Sequence, residues 1–546
     1  MEKVHCIILT GNSQFRGGVK TSGAYRIATE LRKNGYTTKV IDMTVFHGFD
    51  EDIQNLLSSL ISSDTLWIGI SYNFLKDIFG VDSERVKPVT LSEGPVDQDL
   101  INFIRFCRQL NPNIKIIAGG YKKFVWKVYG IHYFAGYSDE TIIDYTNWCA
   151  KKTKAQLSFH LESTNSKEFN DFVTSQIKYT DSDIMLPGVA VPIELSRGCI
   201  FKCKFCAFPL NGKTKGEWIK RSEVLRSEML ENYERFGITD YIFADDTHND
   251  STDKLRLFYD EVYSKLPFKI NFSSYLRLDL LMRFPEQVEI LKQSGLRSAV
   301  FGIETLNPKS AKIIGKGVNP REQLAFLKDI KNNSWKNQVL TSSGWIIGLP
   351  ADNIDTAAEL REFLWSKDNP LDHWAISPLY IKPRHLWFDQ SMNMTTEFEK
   401  NYEKYGYEFP ERNSYSSISW ENKKIGLTFK QVTKQVLDIT DKNITHPNWH
   451  FGGFAAADAA ACGISYDTLV SHTAHEIFKM NGEKKFGVMK YEKGIEYKAA
   501  LMKHYGLPLI NPELPELQKL GLRGTTLFGG YRDQKKDKKN DSNKPT

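Results

Sequence analysis

The sequence predicts an α/β protein in three parts. These are an N-terminal Rossmann-like parallel sheet domain, a partial (β/α)6 barrel of the TIM type, and a mostly helical C-terminal region. Two observations carry this expectation. Short apolar strands alternate with helix-length amphipathic stretches through most of the chain, which implies right-handed crossovers and parallel sheets. The composition, 41% hydrophobic and 25% charged over 546 residues, suits a globular chain with more than one domain.

The first domain is placed at residues 1–150. VHCIILTG (Val4–Gly11) is an apolar strand followed by a glycine turn. TSGAYRIATELRKNG is a helix with Ala24, Ile27, Ala28 and Leu31 on one face, stopped by Gly35. TTKVIDM (Thr37–Met43), TLWIGIS (Thr65–Ser71) and IKIIAGG (Ile114–Gly120) are further strands, and HYFAGYSDE (His132–Glu140) closes the series. Helical stretches, IQNLLSSLIS and DLINFIRFCRQL, separate them. Ligands of such sheets bind at strand carboxyl ends. The candidate loops are therefore Thr10–Gly18, Ser71–Phe74 and Gly119–Lys122, and none carries G-x-G-x-x-G or a P-loop. Residues 151–190 are polar and suit a connecting segment with some helix.

The barrel is placed at 191–385. Strands are expected near Val191–Leu195, Asp240–Ala244, Asn271–Tyr275, Ser298–Ile303, Ser342–Ile347 and Trp374–Pro378, with helices between them. Active sites of barrels lie at strand carboxyl ends. Residues 386–528 form a substrate-side region, rich in tyrosine and then helical, with a close-packed helix over Ala455–Cys462. His446 and His450 suit either a structured turn or substrate contact over the barrel mouth. His472 and His475 do not form the H-E-x-x-H zinc signature. Residues 529–546 have almost no apolar side chains and are expected to be disordered.

Composition excludes several classes. Seven cysteines in 546 residues cannot be a disulfide scaffold. A formal charge of +6 permits an anionic substrate but does not indicate nucleic acid. No apolar run is long enough to span a bilayer, and the first residues lead into a strand rather than a signal peptide. A cytoplasmic location without membrane contact is expected.

Cys6, Cys107, Cys149 and Cys462 stand apart and suit buried free thiols. Cys199, Cys203 and Cys206 have the spacing C-x3-C-x2-C, in the loop after the first barrel strand. Three thiolates this close suit one soft metal centre. Structural zinc takes four protein ligands, and no fourth cysteine or histidine lies near in sequence. A four-iron cubane on three thiolates leaves one iron open to another molecule. Zinc with a distant fourth ligand is the alternative.

This cysteine motif at this place resembles the radical S-adenosylmethionine (SAM) superfamily. The resemblance implies a [4Fe-4S] cluster whose open iron chelates the amino and carboxylate groups of SAM, and one-electron cleavage to a 5′-deoxyadenosyl radical that abstracts hydrogen. It implies that Phe205 lies near the adenine. ADDTHND resembles the acidic segment near the methionine moiety, marking Asp245 and Asp246 as partners of its ammonium. YLRLD resembles the segment whose arginine, here Arg277, reaches the ligand carboxylate. GIET marks Glu304 for the ribose or amino group. GWIIGLP resembles the glycine motif beside the adenine, marking Gly344, Ile346, Gly348 and Pro350. The plainer alternatives are a turn or cap for Asp245 and Asp246, a surface salt bridge for Arg277, an N-cap partner of the NPKSAKII helix for Glu304, and a strand end for Pro350.

Residues 1–380 together resemble the branch with a cobalamin-binding domain before the barrel. SGAYRIATELRKNGYTTKVIDM, WIGIS, IIAGG and FAGYSDETI carry this likeness, with Asp139-Glu140 in the usual glycine-glutamate turn. The cobalt-ligating aspartate-x-histidine-x-x-glycine motif is absent, so cobalamin remains a possible cofactor. His47 and His132 suit surface or core positions. The implied activity is hydrogen abstraction from an unactivated carbon, with methyl transfer through cobalamin. Cyclisation, rearrangement or oxidation without cobalamin is the alternative, as is a metal-held binding protein without catalysis. The methylthiotransferase branch needs a second local three-cysteine motif, which the N-terminal part lacks. A flavodoxin or ferredoxin reductant is implied as partner. The substrate is not disclosed.

Overall fold

In the computed structural model the described residues are 3–10, 18–42, 46, 49–71, 98–120, 130–153, 160–163, 171–206, 208, 210–381, 396–409, 420–443, 446, 449–483 and 486–512. The first sheet is built from β1 (Cys6–Thr10), β2 (Thr38–Asp42), β3 (Trp67–Ser71), β4 (Lys115–Gly120), β5 (Ile131–Gly136) and β6 (His160–Ser163). Their order is β2-β1-β3-β4-β5-β6, with every pair parallel. β6 comes from the stretch 151–190 that the sequence reads only as a connection. Its pairing with β5 is set by tertiary context, not by an apolar pattern.

Alternation along the strands decides which helices cover which face. Ile7, Leu9, Ile41, Ile68, Ile70, Ile116 and Ala118 share a core with the helices Glu51–Leu60 and Gln98–Leu110. Cys6, Ile8, Val40, Trp67 and Ile117 face the helices Ser22–Lys33 and Thr141–Cys149. Cys6 and Cys107 are thus buried core thiols, as expected. His132, at the amino end of β5, is hydrogen-bonded to the Tyr145 hydroxyl. Burial pushes its pKa down to about 4, so it is a neutral packing residue. Chain order reverses between β1 and β3, the switch point where ligands of such sheets bind. The three candidate loops at this edge fall largely in 11–17, 72–97 and 121–129, outside the described residues, as do His47 and the tail 529–546.

The second sheet runs in sequence order: β7 (Val191–Ile193), β8 (Asp240–Phe243), β9 (Asn271–Leu276), β10 (Leu296–Glu304), β11 (Leu340–Ile347) and β12 (His373–Pro378). All neighbours are parallel, and β7 and β12 are its two edges, which gives the expected open six-stranded barrel. Outward residues such as Phe243, Phe301, Trp345 and Trp374 belong to the core under the helices. Several inward residues are small or polar, among them Ser273, Gly302, Ser342, Gly344 and Ser377.

The inner space is filled from its amino end by the helix Phe454–Ala461 (FAAADAAA). Phe454 and Ala457 pack against Ile242, Val300 and Ala190. The turn into this helix needs glycine. A Cβ at Gly452 would lie 2.6 Å from the His373 Cβ, and one at Gly453 2.8 Å from the Ser342 Oγ. The carboxyl half of the barrel is left for chemistry. The last helix, Phe486–His504, returns to the first domain, where Tyr497, Leu501 and Met502 join its core and Lys498 pairs with Asp52 at 2.7 Å. Among the described residues no helix is long and apolar enough to cross a membrane.

The carboxyl edge of the first sheet lies along β7. Val19 pairs with Ala190 just before β7. Asp139, after β5, meets Arg197 just after β7, with Nη1 donating across 3.2 Å. Arg197 also donates from Nε to Glu194 at 2.8 Å, and Arg26 of the first domain donates from Nη2 to the same carboxylate at 2.6 Å. These groups are nearly solvent-free. Burial opposes the charge on Glu194, but Arg197 and Arg26 outweigh it and hold its carboxyl well below the usual range.

Candidate active site

The cysteine loop leaves β7 through Ser196-Arg197-Gly198. Gly198 has φ +77°, and a Cβ there would lie 2.7 Å from the Leu210 Cβ, so the turn into Cys199 needs glycine. The loop is closed by hydrogen bonds from the Gly212 and Lys213 amides to the Cys199 carbonyl, at 2.7 and 3.2 Å. It also docks on the helix Pro308–Ile314, where the Lys204 amide donates to the Ile314 carbonyl at 3.1 Å.

The three cysteines are half-buried on this one loop. The Cys199 Sγ lies 3.1 Å from the Thr247 hydroxyl, and the Arg277 Nη1 donates to the Cys203 Sγ at 3.6 Å. Burial raises the pKa of Cys199 and of Cys206, with the Thr247 hydroxyl opposing at the first and the Phe208 amide at the second. Among the described residues no three His, Cys, Asp or Glu side chains converge on one ion. A cubane gives each thiolate its own iron, so its ligands need not converge as zinc ligands must.

Asp245 and Asp246 separate in three dimensions. Asp245 is fully buried. Its Oδ1 accepts from the Leu195 and Ser196 amides at 2.9 and 3.0 Å, and its Oδ2 accepts from the Ser196 hydroxyl at 2.9 Å. Burial works against its charge, but the Lys254 ammonium, His248 and the Ser196 amide hold its pKa down to about 2. Asp245 is therefore committed to fastening β8 to the end of β7, and no oxygen is left for a ligand ammonium. Among the described residues Asp246 makes no comparable ion pair. Burial pushes it up to about 7, with the Asp245 charge adding to the shift and Lys213 and the Gly198 amide opposing it.

Arg277 ends β9 as a buried side chain, not a surface one. Its Nε and Nη2 donate to the Asp279 carboxylate at 2.9 and 2.6 Å, and its guanidinium stacks 3.6 Å over the Phe201 ring. Its fork is thus divided between Asp279 and Cys203, which differs from the expected reach to a ligand carboxylate. Glu304, at the end of β10, has φ +71°, a strained setting for a residue with a Cβ. It does not cap the following helix, since Asn307 accepts from the Lys309 and Ser310 amides there. Burial raises its pKa, and Lys316 opposes that with its ammonium 3.6 Å away. Gly302 is required beside this pair: a Cβ would lie 2.6 Å from the Lys316 Nζ and 2.8 Å from the Glu304 Oε1.

Gly344 and Ile346 are half-buried and face the barrel interior, because Trp345 between them packs outward on Phe363. Gly348 serves packing instead. It has φ +95°, a Cβ would lie 2.8 Å from the Trp420 ring, and its carbonyl accepts from the Tyr407 hydroxyl at 2.6 Å. Pro350 follows the end of β11. Phe205 is half-buried, with the Lys316 ammonium 5.8 Å from its ring centre.

His446 and His450 lie at the opposite end of the barrel. His446 is edge-on to Trp365 and Trp374, and the His450 amide donates to the Asp372 carbonyl before β12 at 2.8 Å. They form a structured turn, away from the mouth. Sequence reasoning missed Lys316 and Arg197. Both are single cations outside the recognised motifs, although the G-K-G setting of Lys316 was a local signal.

Residues 193–364, which cover most of the barrel, match the model described as Radical SAM superfamily. Two curated relatives align. One is an uncharacterized methyltransferase of Pyrococcus horikoshii, 28% identical over 36% of this chain and 40% of that protein. The other is the bacteriochlorophyllide d C-12(1)-methyltransferase of Chlorobaculum tepidum, 22% identical over 47% of this chain and 51% of that protein. The chain thus spans about half the length of these relatives or less. Among solved structures, the cobalamin-dependent SAM radical enzyme OxsB with aqua-cobalamin bound superposes with a TM-score of 0.54. It is 14% identical, with 92% of this chain and 79% of that chain covered, which establishes a shared fold.

Proposed function

We propose that this protein cleaves SAM reductively at a [4Fe-4S] cluster and abstracts hydrogen from an unactivated substrate carbon, with methyl transfer through cobalamin. One observation carries the reading. The cysteine loop is fastened by Arg197 to the carboxyl edge of the N-terminal sheet, with the guanidinium 4.5 Å over the Tyr137 ring and paired with Asp139. The ligand-binding edges of two parallel sheets therefore face a common space. The two curated relatives, both named as methyltransferases, support the methyl-transfer part.

The residues fit the groups this chemistry needs. Cys199, Cys203 and Cys206 supply three soft donors on one loop, and Arg277 neutralises charge on Cys203. The open carboxylate of Asp246 suits the ligand ammonium. Glu304 suits the ribose hydroxyls or the amino group. Phe205, Gly344 and Ile346 suit the adenine, the glycine because extended backbone without a Cβ allows close approach. When bound, the reduced cluster supplies the electron that splits SAM, and cobalamin carries the methyl group. The barrel is assigned to 191–385 and the substrate side to 386–528, after the first domain at 1–150 and the connection at 151–190. A flavodoxin or ferredoxin reductant and a cytoplasmic location complete the reading.

The test is anaerobic reconstitution with iron and sulfide, then dithionite and SAM. The expected result is brown protein that forms 5′-deoxyadenosine and methionine. Colourless protein, or a reducible cluster that leaves SAM intact, would overturn the reading. Equilibrium titration with cobalamin tests the second part, and absence of saturable binding removes cobalamin-dependent methyl transfer.

A further inference from the structure

Cys203 has two different surroundings. On one side the Arg277 Nη1 donates to its Sγ at 3.6 Å. On the other stands Gly315, exposed and at φ +90°. A Cβ on Gly315 would lie 3.8 Å from the Cys203 Cα and 3.9 Å from the Lys202 carbonyl. Gly317 is likewise exposed, at φ +62°. Gly315 thus adds no side chain between solvent and the Cys203 backbone.

Lysines gather around this thin wall from three segments. The cysteine loop supplies Lys202 and Lys204, the helix Pro308–Ile314 supplies Lys309 and Lys312, and residues 397–405 supply Lys400 and Lys404. The segments meet at Lys204. Its amide donates to the Ile314 carbonyl at 3.1 Å, and its carbonyl accepts from the Phe398 amide at 3.3 Å. The Lys204 and Lys404 ammonium groups lie 5.5 and 5.8 Å from the same Tyr405 ring centre. Lys309 and Lys312 are neighbours at i, i+3 on the exposed side of their helix. Lys204 is half-buried and the other five are exposed. Among the described residues none of the six makes an ion pair. Of the carboxylates on these segments, Glu399 accepts from the Thr396 amide at 2.8 Å and Glu397 from the Asn401 side chain at 3.0 Å, which leaves Glu403. Residues 199–206, 308–314 and 397–405 together carry +3, half of the chain's formal charge of +6.

We propose that this face docks a small acidic iron–sulfur protein that delivers single electrons to the cluster held by Cys199, Cys203 and Cys206. The proposal rests on the SAM reading above. Each SAM cleavage consumes one electron. The carrier is oxidised by one electron and the cluster is reduced by it, with no bond formed and no proton moved. Carboxylates of the carrier meet the six ammonium groups, and Gly315 lets its surface approach Cys203. Such a field speeds association and fades as salt screens it.

The test compares two reductants on the anaerobically reconstituted full chain: reduced ferredoxin, an acidic iron–sulfur protein, and dithionite. Formation of 5′-deoxyadenosine is followed at about 20 mM and about 500 mM salt. The face variant combines Lys309→Glu, Lys312→Glu and Lys400→Glu. The control variant combines Lys336→Glu, Lys367→Glu and Lys479→Glu, at exposed lysines on other segments. The face variant is expected to raise the KM for ferredoxin about tenfold or more at low salt and by less than about threefold at high salt. Its dithionite-driven rate should stay within about threefold of wild type, and the control variant should match wild type with both reductants. If the face variant loses iron, Lys312→Glu and Lys400→Glu alone carry the comparison, each raising KM about threefold. An unchanged KM for ferredoxin, or an equal rise in the control variant, would overturn the proposal. Parallel loss with dithionite at intact iron content would do the same, by assigning the lysines to the SAM site. So would a wild-type protein that takes electrons from dithionite but not from ferredoxin. A wild-type protein that leaves SAM intact with dithionite would instead overturn the reading on which the proposal rests.

Discussion

Neutralising the two adjacent acids separately should produce opposite effects. Asp246 has its pKa raised from 3.8 to about 7 by burial and by Asp245. An acid whose folded pKa is raised favours the protonated native state, so its stabilising contribution is full below pH 3.8 and is lost as pH rises through about 7. About three units at about 1.4 kcal/mol each sets an upper bound of about 4 kcal/mol at pH 8. The side chain keeps some contact with water, which brings the working figure to about 2 kcal/mol. Asp246→Asn should therefore raise the melting temperature of SAM-free protein at pH 8 by a few degrees and flatten its pH dependence between 4 and 7. Asp245 runs the other way. Its pKa is lowered to about 2, so its contribution is present above 3.8 and lost as pH falls through about 2. Asp245→Asn strands Lys254 and His248 and places an amide where three donors converge, at a cost of about 3 kcal/mol. The assay is differential scanning calorimetry under argon, with and without SAM. A hundredfold excess over Kd should stabilise the wild type by about 2.7 kcal/mol, and Asp246→Asn should lose at least half of that. If Asp246→Asn lowers the melting temperature, or Asp245→Asn is silent, the division of labour between them is wrong.

Other outcomes follow from the same geometry. Arg197→Met removes a buried cation shared by Glu194 and Asp139; because Arg26 still faces Glu194, the cost should be about 2–3 kcal/mol, and limited proteolysis between residues 151 and 190 should accelerate. Unchanged proteolysis would mean that the two domains are held by other contacts. Gly302→Ala places a Cβ 2.6 Å from the Lys316 Nζ, and SAM affinity should fall about tenfold with little change in melting temperature. Ala457→Leu overfills the space against Ile242 and Val300 and should destabilise the barrel by about 1–3 kcal/mol, measured by thermal unfolding. Replacing Cys199, Cys203 or Cys206 by serine should abolish the bound iron while far-ultraviolet circular dichroism is unchanged, because none of the three lies in the core.

Most of the architecture was legible because it is locally encoded. Strands such as CIILT and WIGIS are apolar up to their last residue because parallel strands are buried on both faces, and the helices between them show one apolar face. The edge strand His160–Ser163 was not legible, since a polar edge strand takes its conformation from β5, not from its own pattern. Within the site, the three cysteines declare themselves by spacing alone. The acidic pair did not, because adjacent residues in an Asp-Asp step point to different surroundings and only one of them meets the amides of Leu195 and Ser196.

The sequence by itself determined the order of strands and helices apart from β6, the cysteine loop after β7 and the glycines that prove to be steric requirements. These depend on neighbours a few positions away. Only the tertiary structure decided that Asp245 fastens the fold while Asp246 stays open, that Arg197 ties the cysteine loop to the first domain through Asp139, and that His446 and His450 lie far from the mouth. It also decided that Lys316 meets Glu304, its ammonium 3.6 Å from the carboxylate. The physical reason is that charge pairing and desolvation act through space. Arg197 and Asp139 lie 3.2 Å apart across a long stretch of chain, and no local pattern records which partner a buried charge will find.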